Sequence, residues 1–359
     1  QLCCCEGCGF LFNDLSLSGE ELNRWYQNEG LYAADMGVGS GGLSELDRDR
    51  YQVTSKLIEP CLQDSQNRVV DVGCARGGLL RFLHEQGHRA LLGVDLNPSC
   101  IEGLREAGIP AAPGAATSLP SAAQGANLLI YSNLLEHLLD PMAALREAHR
   151  VLADDGVLLI EVPDVDRYGK YPMFELYWLA QQEHINHYSA HHLAAQLYAC
   201  GFEVTKMAPI EPLIAAGRKT PFLAALARKA TKKDSAANFV SRANVLQYID
   251  AGLHQMKSRR KEIAKIQGRC RTVIPWGIGL EFFALYELAG LKHCEIPFLI
   301  DNNAAKQQRT VDGYSIQSSE TLNSVGPEAT VVTTSTLHQQ AMLRELAGRP
   351  FRGEVLALA

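Results

Sequence analysis

The sequence predicts an α/β protein. It has one large, mostly parallel sheet with helices on both faces, a second, smaller α/β domain at the C-terminal end and a short cysteine knuckle at the start. Three observations carry this. Strand-like apolar runs and helical patterns alternate from Asn67 to about Pro209, the rhythm of crossover units. The first run, Arg68–Val72, leads into the turn Asp71-Val72-Gly73-Cys74-Ala75-Arg76-Gly77 and then the helical Leu79-Leu80-Arg81-Phe82-Leu83. That is a Rossmann-like strand, tight turn and helix N-terminus, where backbone N–H groups can meet a ligand closely. The pattern recurs at Thr272-Val273-Ile274-Pro275-Trp276-Gly277-Ile278-Gly279.

With 359 residues the chain exceeds one ordinary core, so several domains are expected. Their boundaries read as 1–35 for the knuckle and a helix, 36–212 for the main domain, 213–270 for a helical connector and 271–359 for the second α/β domain. A net charge of -6 leaves no electrostatic footprint for nucleic acid or an anionic membrane. No apolar run approaches the ~20 residues of a membrane span. The chain starts at Gln1 rather than Met, which leaves room for residues ahead of it. Six of the ten cysteines are scattered singly, which suggests reduced thiols and a cytoplasmic protein.

At the N-terminus, Cys5-Glu6-Gly7-Cys8-Gly9 is a C-x-x-C-G knuckle, with Cys3 and Cys4 just before it. Cys5 and Cys8 could grip one Zn²⁺, but a structural site needs four ligands. Bound zinc and a set of free thiols are both open readings, and either role is structural. Ser18 and Glu21 form a helix-start signature. The glycine-rich stretch 37–42 reads as a linker or a lid, and Arg48 to Leu62 as a helix.

In the main domain the strands are placed at Arg68–Val72, Ala90–Asp95, Ala126–Ser132, Gly156–Pro163 and Phe202–Ala208, with helices around Gly78–Gln86, Ser99–Ala107, Pro141–Leu152 and Ala190–Cys200. Ligands of such sheets bind at the carboxyl ends of the strands. Asp71 closes the first strand. Asp95 closes the second, followed by Leu96, and is placed to accept both hydroxyls of a ribose; the alternative is a helix N-cap. Ser132-Asn133-Leu134-Leu135-Glu136-His137-Leu138-Leu139-Asp140-Pro141 follows an apolar strand. Glu136 and His137 either face a ligand or order the next helix. In Gln181-Gln182-Glu183-His184-Ile185-Asn186-His187-Tyr188-Ser189, His184 could take a proton, oriented by a neighbouring carboxylate. Alternatively Glu183, His184 and Tyr188 pack a loop. His184 and His187 lack the H-E-x-x-H pattern of a zinc site.

These motifs resemble class I S-adenosylmethionine-dependent methyltransferases over about residues 65–210. Asp71 to Gly77 looks like their glycine-rich first motif, with Ala75 in place of a glycine. Asp95 matches the acid that holds the ribose. Leu135 to Pro141 and Arg150-Val151-Leu152-Ala153-Asp154-Asp155-Gly156-Val157-Leu158-Leu159-Ile160 look like two further motifs of that family. The resemblance implies a cofactor site of Asp71, Gly73, Cys74, Gly77, Asp95, Leu96, Ser132, Asn133 and His137, with the turn facing the amino-acid end of S-adenosylmethionine rather than a phosphate. The family usually has an acid where Ala115 stands, so adenine falls to backbone and to Thr117 or Ser118.

The order of parts resembles the nucleotide-sugar C-methyltransferases, whose first domain binds zinc and whose acceptor sits between the middle and last domains. It implies catalytic roles for His184, Glu183 and Tyr188, zinc on Cys5 and Cys8, a sugar or nucleotide-linked small-molecule acceptor, and admits a homodimer. The family's Tyr-x-Glu-His is Gln181-Gln182-Glu183-His184 here, which unsettles C-methylation more than methyl transfer itself. Rival readings are O- or N-methylation of another metabolite and a non-catalytic assembly protein. In the last domain the third fingerprint glycine is replaced by Phe282. That domain either holds a nucleotide-sugar or only packs.

Overall fold

The computed structural model describes residues 1–28, 42, 44–171, 176–181, 183–215, 218–230, 243–269 and 272–358. The chain divides into two compact units, Gln1–Tyr171 with Gln182–Arg242, and Pro172–Gln181 with Ala243–Ala359. No helix among the described residues is long and apolar enough to cross a membrane.

In chain order the first unit starts with β1 (Leu2–Cys4), β2 (Leu11–Asn13), α1 (Gly19–Asn28) and α2 (Glu45–Ile58). It continues with β3 (Val69–Val72), α3 (Gly78–Glu85), β4 (Leu91–Asp95), α4 (Pro98–Glu106), β5 (Ala111–Pro113), β6 (Ala126–Ser132), α5 (Pro141–Val151) and β7 (Leu152–Pro163). After α6 (Tyr177–Ala180), which belongs to the second unit, come β8 (Asn186–His187), α7 (Ala190–Ala199), β9 (Phe202–Ile210), β10 (Leu213–Ala215), β11 (Arg218–Lys219) and β12 (Phe222–Lys229).

Several helices start at side-chain caps. Ser18 and Glu21 exchange hydrogen bonds with each other's backbone N–H at 2.8 and 3.2 Å, a capping box as expected. Ser44 and Asp47 form a second box on α2. The main sheet has the order β5-β4-β3-β6-β7-β12-β9. Strands β3 to β7 run parallel, and β12 runs antiparallel to both β7 and β9. All four residues of β3 are buried, as a strand with helices on both faces requires. The chain leaves β3 toward β4 on one side and later returns to β6 on the other. This switch point opens a crevice at the carboxyl ends of β3 and β6.

One expectation fails. The stretch 213–268 was expected to be mostly helical, yet β10, β11 and β12 occupy its first part, and among its described residues only α8 (Ala243–Gln267) is a long helix. The composition of Leu223-Ala224-Ala225-Leu226-Ala227-Arg228-Lys229 favours a helix locally. Burial overrides it: Leu223, Ala224, Ala225 and Ala227 are buried in the gap between β7 and β9, where pairing on both sides satisfies the backbone. The main sheet therefore extends past residue 212.

The second unit contains α6, α8, β13 (Thr272–Trp276), α9 (Leu280–Leu288), β14 (Leu299–Ile300), α10 (Ala304–Gln307), β15 (Thr310–Val311), β16 (Tyr314–Gln317), β17 (Ala329–Thr333), α11 (Gln339–Ala347) and β18 (Glu354–Ala357). Its sheet order is β15-β16-β14-β13-β17-β18, the second Rossmann-like unit the sequence predicts.

Candidate active site

A cavity of about 400 Å³ lies in the first unit at the switch point. Its floor is the turn after β3, with Gly73 and Ala75; its walls include Asp95 and Leu96 after β4 and Asn133 and His137 after β6. Leu22, Asn23 and Tyr26 of α1 line it as well.

Asp95 is fixed by backbone hydrogen bonds. Its Oδ2 accepts the Ala75 N–H at 2.8 Å and its Oδ1 the Asn97 N–H at 2.8 Å. Each oxygen keeps a further lone pair. Burial pushes its carboxyl up, and the backbone N–H groups of Asn97, Ala75 and Leu96 oppose that. The alternative N-cap role falls to Asn97, whose Oδ1 accepts the Ser99 N–H at 2.9 Å. Likewise Asp140, rather than Glu136 or His137, caps α5 through the Ala143 N–H at 2.8 Å.

The other residues named for the cofactor take three kinds of place. Asn133 sits at φ 51, unusual for a residue with a side chain, and its Oδ1 is buried without a partner. Such strain with an unspent acceptor is common where a ligand completes the site. Asp71, Cys74 and Ser132 line a small neighbouring cavity of about 40 Å³, with Arg50 and Thr54 of α2. Gly77 lines neither cavity. It starts α3 at φ 72, and a Cβ there would lie 2.2 Å from Leu104 Cδ2, so a side chain would force α3 and α4 apart. Thr117 lines the large cavity and Ser118 does not.

Beneath the turn is a buried polar network with no obvious sequence signal. Arg50 Nη2 donates to Ser132 Oγ at 2.8 Å, and Ser132 Oγ and Thr54 Oγ1 donate to Glu161 at 2.6 and 2.8 Å. Burial, with Asp95 and Glu161 nearby and Arg50 in opposition, pushes Asp71 up to about 8. Burial pushes the Cys74 thiol well above its usual range. A cation bound at this end would favour the ionised forms of these carboxyls.

A second group gathers at His137. Its Nδ1 lies 2.9 Å from the Glu183 carbonyl oxygen and 3.0 Å from the Tyr26 hydroxyl. Its ring meets that of His184 edge-on with centroids 4.9 Å apart. Ligand-type atoms of Glu136, His137 and His184 lie within 4.8 Å of one another, the one such group of three among the described residues. Burial holds His137 down to about 4 and His184 well below its usual range. Glu183 reaches this group through its main-chain carbonyl. Tyr188 is fully buried, and its hydroxyl donates to Gln196 Oε1 at 3.1 Å; it lines neither cavity.

The N-terminal hairpin braces this group. β2 pairs antiparallel with β8, Leu11 opposite His187 and Phe12 opposite Asn186. Asn13 Nδ2 donates to the His184 carbonyl at 2.9 Å. Asn186 Nδ2 reaches the Leu135 and Leu138 carbonyls at 3.1 and 2.6 Å, clamping the segment that carries Glu136 and His137. Cys5 and Cys8 flank the turn of the hairpin, closed by the Gly9 N–H to Cys5 carbonyl bond at 2.8 Å. Of the stretch 37–42, only Gly42 lies among the described residues; its carbonyl accepts the Tyr51 hydroxyl at 2.8 Å.

Residues 46–207 match the family described as "Methyltransferase domain". Among solved structures, the [4+2]-cyclase SpnF is 16% identical, with a TM-score of 0.47, over 61% of this chain and 98% of its own. An S-adenosylmethionine-dependent methyltransferase from Mesorhizobium loti is 21% identical, with a TM-score of 0.40, over 48% and 96%. One from Methanosarcina mazei is 19% identical, with a TM-score of 0.42, over 49% and 98%. No curated protein matches.

Proposed function

We propose, from the premise that residues 46–207 form a class I methyltransferase domain, that the chain transfers a methyl group from S-adenosylmethionine to a small acceptor. The observation that carries this is Asp95: a carboxylate at the cavity wall, each oxygen fixed by one backbone N–H, each with a lone pair left for a ribose hydroxyl. The acids around Asp71 favour the cofactor's positive charge, and the turn at Gly73 receives its amino-acid end. The cofactor supplies a reactive sulfonium methyl. The protein's part is to align the acceptor with it and to take a proton from it.

His184 is the proposed proton acceptor; its ring meets that of His137, which lines the cavity. The acceptor class is a sugar or nucleotide-linked molecule, a reading supported by the order of parts along the chain. Zinc on Cys5 and Cys8 belongs to the same reading, as does a cytoplasmic placement.

Calorimetry with S-adenosylmethionine tests the core of this. One cofactor bound per chain is expected; a silent titration would sink it. A panel of nucleoside-diphosphate sugars, scored by S-adenosylhomocysteine release, tests the acceptor class. Metal content of the purified chain tests the zinc.

A further inference from the structure

The group around His137 has more lone pairs than protons to satisfy them. Glu136 is 1% exposed, and neither of its carboxylate oxygens has a hydrogen-bond partner. The Glu183 carbonyl can only accept, so His137 carries its proton on Nδ1 and donates it there at 2.9 Å. That leaves the Nε2 lone pair facing Glu136 Oε1 at 3.8 Å. His184 adds a buried Nδ1 that also has no partner. In this buried site an ionised Glu136 is unfavourable unless positive charge sits beside it. The reaction proposed above delivers one positive charge at this place: the proton that leaves the acceptor.

We propose that Glu136 is a positioning residue for that proton, its carboxylate being the negative partner that lets His184 become an imidazolium. This rests on the methyltransferase reading. In the step, the bond from the acceptor atom to hydrogen breaks and the proton moves to His184. The electron pair stays on the acceptor atom, which forms the new bond to the methyl carbon as the carbon–sulfur bond breaks and its pair remains on sulfur. The proton passes to water after the products leave.

The surroundings support the pairing. His137 follows Glu136 in the single helical turn Leu135–His137; Glu161 of β7 and Arg50 of α2 act on Glu136; Glu183, His184, His187 and Tyr188 come from β8 and its flanks. Tyr26 reaches His137, and Tyr168 reaches His187. Arg50 and Glu161 act on Glu136 in opposite directions, and burial, the largest influence, pushes its carboxyl up to about 8. Burial first, then His137 and His187, hold His184 well below its usual range. Apart, one group resists ionising and the other resists protonation. Sharing a proton corrects both, and the group then titrates as a unit.

The test compares the full chain with Glu136→Gln, by nitrogen NMR of the histidine rings in the presence of S-adenosylhomocysteine, which needs no acceptor. In the native chain His184 should show imidazolium character that is lost as pH rises. In Glu136→Gln it should stay neutral from about pH 6 to 9. With an acceptor found in the sugar panel, Glu136→Gln should lose about 10–100-fold in kcat at unchanged cofactor affinity, and Glu136→Asp should recover part of it. A purely structural role predicts otherwise. The raised pKa means the folded chain holds a proton the unfolded one has released, so native stability falls as pH rises from about 4.5 to 8. Glu136→Gln should thus be at least as heat-stable as the native chain above that range. Identical histidine spectra in the two chains overturn the proposal. So do stoichiometric shifts of His137 and His184 with Zn²⁺ or Mg²⁺ that EDTA reverses, since a divalent cation would then fill the group. An absent cofactor signal in the native chain sinks the methyltransferase reading with it; intact cofactor binding with an indifferent Glu136→Gln sinks this proposal alone.

Discussion

The two sheets are built on the same plan and end in different chemistry. Around β3 the order is β5-β4-β3-β6-β7, and around β13 it is β16-β14-β13-β17-β18. In both, a glycine turn follows the first strand and an acid closes the second. Asp95 accepts the backbone N–H groups of Ala75 and Asn97 at 2.8 Å each, and Asp301 those of Ile278 and Asn303 at 2.9 Å each. Beyond that the second unit supplies its own ligands. Lys306 Nζ lies 2.8 Å from Asp301 Oδ2, whereas no ion pair is found for Asp95 among the described residues. Glu281, in the first turn of α9, accepts the Thr336 N–H at 2.5 Å. Thr334 Oγ1 donates to the Gly277 carbonyl at 2.6 Å. A glycine turn and an acid thus describe a backbone. Whether a ligand enters depends on what later segments place there.

The largest effect should come from removing the two matched acids. Asp95→Ala and Asp301→Ala strip the same two backbone N–H groups of their acceptor, so both should lose stability by about 1–3 kcal/mol in thermal unfolding. Only Asp95→Ala should weaken S-adenosylmethionine in calorimetry, by about 100-fold, the worth of two hydrogen bonds to a charged group. Equal effects on cofactor affinity would break the comparison.

Next come the turn glycines. Gly277 has φ 103, and a Cβ there would meet Met342 Cε at 2.9 Å. Gly277→Ala should therefore cost about 1–3 kcal/mol in denaturant unfolding and leave the cofactor titration alone. Gly73, at φ 70 with Leu134 Cδ1 at 3.0 Å from such a Cβ, is itself a cavity wall. Gly73→Ala should lose stability and cofactor affinity together.

The smallest effect sharpens the reading of the first turn. Ala75 stands at φ 48, a conformation that strains any residue with a Cβ by about 1 kcal/mol. Ala75→Gly should raise the unfolding midpoint by that amount, and a fall would mean the Ala75 methyl packs better than the strain costs.

Much of this was readable beforehand because it is local. Strand β6 spans the residues expected of it, and β3, β4, α3, α4, α5 and α7 fall within a residue or two of expectation, since period, caps and glycine turns act over a few residues. Asp95, Gly73 and Asn133 could be named from their place at strand ends, and all three line the cavity. Arg50 could not, because it lies on α2 and its partner Ser132 on β6, with nothing in the sequence to link them. The hairpin at the N-terminus read as a separate knuckle, yet its role as a brace for His184 depends on pairing with β8.

By itself, then, the amino-acid order determined an α/β chain with two glycine-turn units and an acid at each second strand, because hydrophobic period and turn chemistry are properties of neighbours. Tertiary structure alone decided three things. It made Phe222–Lys229 a strand by burying it between β7 and β9. It placed Lys306 beside Asp301 in the second unit and, among the described residues, no such cation beside Asp95 in the first. It gathered Glu136, His137 and His184 into one buried group. Each of these depends on what a side chain meets from distant parts of the chain, where burial and the energy of unpaired charge outweigh local preference.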